Sequence, residues 1–156
     1  MSVAPVEVLV VEDGDEYVTN LSTFVSEGIH YRQAKSGALA CRMVSEQHTD
    51  LVYLDMRFDR TPEGELLGNM VELVARFNGD VARARRFQQD NQGLFVLRAL
   101  RESGWSGPVI LSYDFGPEER RFRTLSERDP ALGYCPDYAD ANTIRTVILR
   151  AVGRSA

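Results

Sequence analysis

Hydrophobic residues in this chain form short unbroken runs that alternate with stripes of helical spacing. The runs at residues 6–11, 51–55 and 108–112 predict buried parallel strands, which carry apolar side chains on both faces. Weaker runs at 30–34 and 131–135 predict a second and a fifth strand. Apolar positions three and four apart predict a helix after each strand, so the order of elements indicates a parallel sheet with right-handed crossovers.

One helix stands out as weakly amphipathic. It follows Gly116 and Pro117, which favour a helix start, and its only large apolar anchors are Phe122 and Leu125 among several arginines. We therefore expect this helix to be largely solvated.

The segment from about residue 59 to 92 interrupts the alternation of strand and helix. Its first part carries an apolar stripe from Leu66 to Phe77, which predicts one helix, and residues 78–80 break that pattern. A second short helix is predicted with Arg83, Arg85 and Arg86 on an exposed face. Because the segment has its own apolar stripe, we expect it to be ordered against the rest of the domain.

Length and composition limit the classes of protein to which the chain can belong. With 156 residues, 44% of them hydrophobic, we expect one domain spanning 1–156 and no attached output domain. A net charge of −5 argues against nucleic-acid binding, which needs clustered Lys and Arg. Two cysteines, Cys41 and Cys135, form no disulfide framework, and no apolar stretch indicates a membrane span. We expect a cytoplasmic protein.

Carboxylates follow two of the predicted strands. Glu12 and Asp13 come directly after the first strand, and Asp55 ends the third. Sites in open α/β sheets form at the carboxyl ends of strands, so these three acids are expected to converge there and to hold a divalent cation.

The set of strand-end residues resembles a response-regulator receiver domain. An acidic pair ends the first strand, Asp55 ends the third, Ser112 ends the fourth, and Tyr134 lies in the fifth. The resemblance covers nearly the whole chain outside residues 59–92. It implies a flavodoxin-like (βα)5 fold, a three-layer sandwich with five parallel strands, and a role in two-component phosphorelay signalling rather than an enzyme activity.

The same resemblance implies roles for individual residues. Asp55 would accept a phosphoryl group from a histidine kinase or a phosphotransferase, and the chain would then signal to a downstream protein. Asp13 would bind Mg²⁺, helped by Glu12 and by the backbone carbonyl of Arg57. Ser112 would contact the phosphoryl group.

A further residue implied by the resemblance is Tyr134, which would be the aromatic side chain that reports the state. The family also places a lysine at the end of strand five, and none is present here. Asp137 occupies that position in the register we favour, and Cys135 does so if the prolines are aligned. The only lysine of the chain is Lys35; Arg57 could compensate if its side chain turns inward.

Two other functions are compatible with these observations. A pseudo-receiver would bind a partner through the 59–92 insertion without being phosphorylated, as the absent lysine suggests. A Toprim-like metal-dependent phosphoesterase also places acids after its first and third strands, but it usually has a later Asp-x-Asp pair, whereas Asp55 and Asp59 are four residues apart.

Overall fold

The structure, a computed structural model, describes residues 3–155 as one parallel five-stranded sheet flanked by helices. The strand order is β2-β1-β3-β4-β5. The strands are β1 (Val6–Val11), β2 (Ile29–Ala34), β3 (Leu51–Asp55), β4 (Val109–Ser112) and β5 (Leu132–Cys135). This confirms the predicted flavodoxin-like α/β fold and the five strands to within one residue at each end.

Helices follow every strand and also form the insertion. They are α1 (Glu16–Phe24), α2 (Gly37–Glu46), α3 (Met70–Arg76), α4 (Val81–Asp90), α5 (Gln92–Glu102), α6 (Glu119–Arg128) and α7 (Ala141–Ala151), and short 3-10 turns occupy Glu63–Glu65 and Gly116–Glu118. Between residues 3 and 155, none of these helices has the length and apolar character needed to cross a bilayer.

The apolar side chains of the sheet form a core on each face. On one face, residues such as Leu9, Val52 and Leu111 pack against α2 and α5. On the other, Val8, Tyr53 and neighbouring residues pack against α1 and α7. Helix α6 has no buried residue, as expected, since its few apolar side chains are only half-buried.

The start of the insertion differs from the prediction. The stripe beginning at Leu66 was expected to be helical throughout, but α3 begins only at Met70. Gly68 adopts a φ of +118°, which a right-handed helix cannot contain, and the Asn69 side chain accepts a hydrogen bond from the N–H of Glu72. Leu66 is nevertheless buried, so at its start the stripe marks a packed loop, and only from Met70 onward does it mark a helix.

The insertion is held to the domain by two buried glutamines. The Gln92 side chain accepts from the N–H of Leu67 (2.8 Å) and donates to its carbonyl (3.0 Å). Gln88 donates to the same carbonyl (3.2 Å). Phe87 stacks between Phe77 and Phe95, which joins α3, α4 and α5. The insertion is therefore packed against α5, as its apolar stripe predicted.

Candidate functional site

The pairing of the strands aligns the carboxyl ends of the central strands at one edge of the sheet. Val11 pairs with Leu54, and Asp55 pairs with Ser112, which in turn pairs with Cys135. Residues paired across parallel strands project to the same face, so Asp55 and Ser112 share the face covered by α1 and α7. Ser112 therefore lies at the level of Asp55.

Beside Asp55 is an open cavity of about 340 Å³. Tyr17, Arg57, Ser112 and Asp137 line it together with Asp55. The structure thus brings four of the predicted site residues, Asp55, Arg57, Ser112 and Asp137, to one cavity.

The Asp55 carboxyl is hard to ionise. Burial raises the pKa of Asp55 to about 7, and the N–H groups of Arg57 and Met56 oppose that rise. The charges of Asp13 and Glu12 raise the pKa of Asp55 further.

Ser112 contributes a buried hydroxyl that makes no hydrogen bond within the described residues, although it lies near the phenol groups of Tyr17 and Tyr53. The residue is 2% exposed, and its Oγ has no hydrogen-bond partner among the described residues. A buried polar group without a partner costs free energy, so it is usually satisfied in some state of the protein. This one lies at the wall of the cavity, level with Asp55.

Glu12 has a structural role at the start of α1. It is 1% exposed, and its two oxygens accept hydrogen bonds from the N–H groups of Tyr17 (3.0 Å) and Val18 (2.8 Å), at the start of α1. Burial raises the pKa of Glu12, and these N–H groups counteract it. Its carboxylate therefore acts as a cap for α1.

Asp13 is held by the beginning of the insertion. Its Oδ2 accepts hydrogen bonds from the N–H of Arg60 (2.6 Å), the N–H of Thr61 (3.1 Å) and the Thr61 hydroxyl (3.2 Å). The Arg60 guanidinium also pairs with Glu16 on α1. Asp13 therefore anchors the start of the insertion at the end of β1.

The acids in this arrangement do not fit a Mg²⁺ ion, which needs oxygen ligands with available lone pairs. Both oxygens of Glu12 and one oxygen of Asp13 are occupied by hydrogen bonds. Within residues 3–155, no three His, Cys, Asp or Glu side chains are grouped so that they could hold a metal ion. The ligand roles of Glu12, Asp13, Asp55 and the Arg57 carbonyl stay predictions.

The cavity is predominantly acidic. Asp114, Glu118 and Asp137 line it along with Asp55, and Arg57 is the one basic residue among those that line it in the described part of the chain. The Arg57 side chain is 69% exposed and lies 3.8 Å from Asp90, so it faces solvent more than the cavity. Lys35 pairs with Asp15 (3.3 Å) at the end of β2, outside the cavity lining.

Tyr134 lies on the other face of the sheet. Its ring packs 5.2 Å from that of Phe115 and 4.7 Å from that of Phe122, measured between centroids. Tyr134 belongs to the core that faces α2 and α5, whereas Cys135 belongs to the opposite one. Its role as a switch residue stays a prediction.

Tyr17 is a site residue that the sequence did not identify. Burial raises the pKa of Tyr17 to about 12, and the charges of Asp55 and Asp137 add to the rise. The available signal was its position four residues after Asp13, in the first turn of a helix that begins at the carboxyl edge of the sheet.

Comparison with known proteins identifies relatives by structure alone. No protein-family model matches the chain, and no curated protein matches it in sequence. The chain is similar in structure to the receiver domain of NtrX from Brucella abortus, with 18% identity, 95% of this chain and 99% of that chain covered, and a TM-score of 0.64.

Two further solved structures are similar to the chain in structure at low sequence identity. One is the receiver domain of the Francisella response regulator 1452 (15% identity, 94% and 95% covered, TM-score 0.61). The other is a chemotaxis response regulator of Vibrio cholerae (14% identity, 94% and 98% covered, TM-score 0.61). The chain therefore has the flavodoxin-like fold of response-regulator receiver domains, extended by an insertion after β3.

Proposed function

We propose that this chain is a receiver-type signalling module in a phosphorelay, and that Asp55 accepts a phosphoryl group from the phosphohistidine of a kinase or phosphotransferase. The observation that carries the proposal is the buried Ser112 hydroxyl, which lacks a partner and lies level with Asp55 at an open cavity. A phosphoryl oxygen on Asp55 would supply the missing acceptor for that hydroxyl.

The proposed chemistry is one substitution at phosphorus. A carboxylate oxygen of Asp55 forms a bond to phosphorus as the phosphorus–nitrogen bond of the phosphohistidine breaks. The electron pair of that bond stays on the imidazole nitrogen of the donor, which then takes a proton from solvent. Only the ionised form of Asp55 can attack, so its pKa of about 7 makes the reaction faster as the pH rises through neutrality.

The charge of the cavity opposes this reaction. A phosphoryl group would add negative charge beside Asp114, Glu118 and Asp137, with Arg57 as the single lining cation among residues 3–155. We therefore propose a phosphorylated state that forms slowly and is short-lived. Mg²⁺, which the resemblance implies, stays a prediction for this chain because Glu12 and Asp13 use their oxygens in hydrogen bonds.

Intact-mass measurement after incubation with acetyl phosphate and Mg²⁺ tests the proposal. The wild type should gain the mass of one phosphoryl group, and Asp55→Asn should gain none. Asp114→Asn is the matched control, since it changes an acid of the same cavity and should still be phosphorylated. Equal mass gain in wild type and Asp55→Asn, or no gain in the wild type, would contradict it.

A second candidate function is a phosphorylation-independent interaction module. It is favoured by the acidic cavity and by the insertion, which is packed against α5 through Gln88 and Gln92. Under this alternative, deletion of residues 62–90 abolishes binding to the partner, whereas Asp55→Ala leaves it intact. The phosphoryl-accepting proposal expects Asp55→Ala to change binding.

A further inference from the structure

Helices α3 and α4 of the insertion carry three arginines that are not paired with an acid. Arg76, Arg83 and Arg86 are exposed, and their side chains make no hydrogen bond or ion pair among residues 3–155. Arg85, which lies between two of them in the chain, is paired with Glu63. The three unpaired guanidinium groups therefore keep their N–H donors available to a binding partner.

Two of these arginines lie over phenyl rings. The guanidinium carbon of Arg76 lies 5.0 Å from the ring centroid of Phe87, and that of Arg83 lies 5.2 Å from the ring centroid of Phe77. The two rings are themselves in contact, with centroids 5.4 Å apart. Arg86 lies one helical turn after Arg83 on α4. We call these five side chains the arginine patch.

The contact with a ring prepares a guanidinium group to bind an anion. The π electrons of the ring attract the cation and restrict a long side chain that would otherwise move freely. Part of the entropy cost of fixing that side chain on binding is therefore already met. The planar N–H fork of an arginine matches two oxygens of a carboxylate or a phosphate.

The acids of these two helices leave the patch positively charged. Asp80 caps α4 through a backbone N–H, and Asp90 lies 3.8 Å from Arg57. Glu72 is exposed one turn before Arg76 and forms no ion pair with it. Residues 70–90 carry four arginines and three acids, whereas the whole chain has a net charge of −5. The arginine patch is thus a basic surface on an acidic protein.

We propose that the arginine patch docks a short acidic segment of a partner protein, whose Asp or Glu carboxylates bond to Arg76 and Arg83. A nucleic acid fits the patch less well. Affinity for nucleic acid comes from many phosphate contacts along a basic track, and this patch has three cations bordered by acids. Its phenyl rings are half-buried and covered by guanidinium groups, so they offer a base no open face for stacking.

Docking at the arginine patch does not rest on phosphorylation of Asp55. It gives residues and a partner chemistry to the interaction role of the insertion, and both hold whether or not Asp55 accepts a phosphoryl group. Asp55→Asn should therefore bind an acidic peptide as the wild type does.

The first experiment titrates the wild-type protein at low ionic strength with acetylated and amidated hexaglutamate. The NMR resonances of the Nε–H groups of Arg76 and Arg83 should shift, and that of Arg42, an exposed arginine on α2, should stay in place. Added salt should weaken the binding because it screens exposed charges. No shift at millimolar peptide, or an equal shift at Arg42, would overturn the inference.

The second experiment compares the dissociation constant of hexaglutamate among double variants. Arg76→Gln with Arg83→Gln should weaken binding about tenfold. Arg76→Lys with Arg83→Lys keeps the charge but lacks the planar fork, and should weaken binding about threefold. Arg42→Gln with Arg150→Gln makes the same change of net charge at exposed positions on α2 and α7, and should bind like the wild type.

Each outcome of this comparison is decisive. Equal binding by the wild type and the glutamine variant of the patch would overturn the inference. Tighter binding of an oligodeoxythymidylate than of hexaglutamate would also overturn it, in favour of a nucleic-acid site. Self-association in sedimentation without peptide, lost in the glutamine variant, would overturn it in favour of a second copy of this chain.

The variants keep the test independent of folding and of phosphorylation. If the glutamine variant of the patch does not fold, the lysine variant and the first experiment decide. No phosphoryl donor is present in either experiment, so a failure here is separate from a failure of phosphorylation at Asp55.

Discussion

Asp13 and Asp55 end neighbouring strands of one sheet, yet their surroundings are opposite. Asp13 accepts three hydrogen bonds on one oxygen from residues 59–62, the start of the insertion, which we call the strap. Asp55 lies at an open cavity beside a buried hydroxyl without a partner, and its pKa is raised to about 7. The first carboxylate is committed to structure, and the second is available for chemistry.

The position of an acid at the end of a strand does not by itself decide the role of that acid. The role depends on the balance between hydrogen bonds, which stabilise the charged form of the carboxyl group, and burial, which destabilises that form. The insertion supplies that difference, because its strap reaches Asp13 while Asp55 stays open to the cavity. Four variants test the contrast.

Asp55→Asn should produce the largest change in stability. In the folded protein Asp55 keeps its proton up to about pH 7, whereas the ordinary pKa of this side chain is 3.8. Between these values the folded state binds more protons than the unfolded state, so the stability of the wild type falls as pH rises. The variant lacks this loss and should be more stable by about 4 kcal/mol at about pH 8.

Urea unfolding of wild type and Asp55→Asn over a range of pH measures this effect. The difference between them should shrink as the pH falls and disappear near about pH 4, where both states hold the proton. A difference that is constant with pH would contradict a raised pKa for Asp55.

Asp13→Ala should have the second largest effect, in the opposite direction. The variant leaves the donors of Arg60 and Thr61 without their acceptor and should lower the free energy of unfolding by about 2 kcal/mol. Glu46→Ala is the control, since Glu46 is exposed and its side chain makes no hydrogen bond or ion pair within the described residues. Unchanged stability in Asp13→Ala would mean that water replaces Asp13 at no cost.

Ser112→Ala should separate stability from function. Removal of a buried hydroxyl that has no partner should raise the free energy of unfolding by about 1 kcal/mol. The same variant should accept less phosphoryl group from acetyl phosphate, because an oxygen on Asp55 loses its donor. Ser106→Ala, at an exposed position, should change neither quantity. A loss of stability in Ser112→Ala would show that the hydroxyl is bonded in the folded protein.

Asp137→Lys should have the smallest effect. Asp137 is an exposed residue at the rim of the cavity, so solvent screens its charge. Reversal of that charge should lower the pKa of Asp55 by about half a unit, as followed by the carboxyl carbon resonance of Asp55 in an NMR titration. Glu127→Lys makes the same change of charge on α6, outside the cavity lining, and should leave the pKa of Asp55 where it is.

Much of this architecture could be predicted from the sequence because it depends on local patterns. Apolar runs identified all five strands, and the acid and the hydroxyl at two strand ends identified Asp55 and Ser112 before their shared cavity was known. Asp137 was identified only through the resemblance to receiver domains, as the residue at the position of their lysine. The stripe from Leu66 to Phe77 was less informative. Burial alone does not distinguish a helix from a packed loop, and Gly68 with Asn69 moved the helix start to Met70.

The partners of each carboxylate could not be predicted. Glu12 and Asp13 are adjacent in sequence, yet Glu12 caps α1 and Asp13 binds the strap. The strap begins at Asp59, far from both acids in the chain. Tyr17 reaches the cavity only because α1 packs on the face of the sheet that also carries Asp55.

By itself, the sequence determined the order of strands and helices, the parallel sheet and the acids at its carboxyl edge, because hydrophobic periodicity and strand ends are properties of neighbouring residues. Only the tertiary structure decided which acid is engaged and which is open. Hydrogen bonds to Asp13 and the desolvation of Asp55 arise from segments that are distant in the chain and come together only in the folded protein.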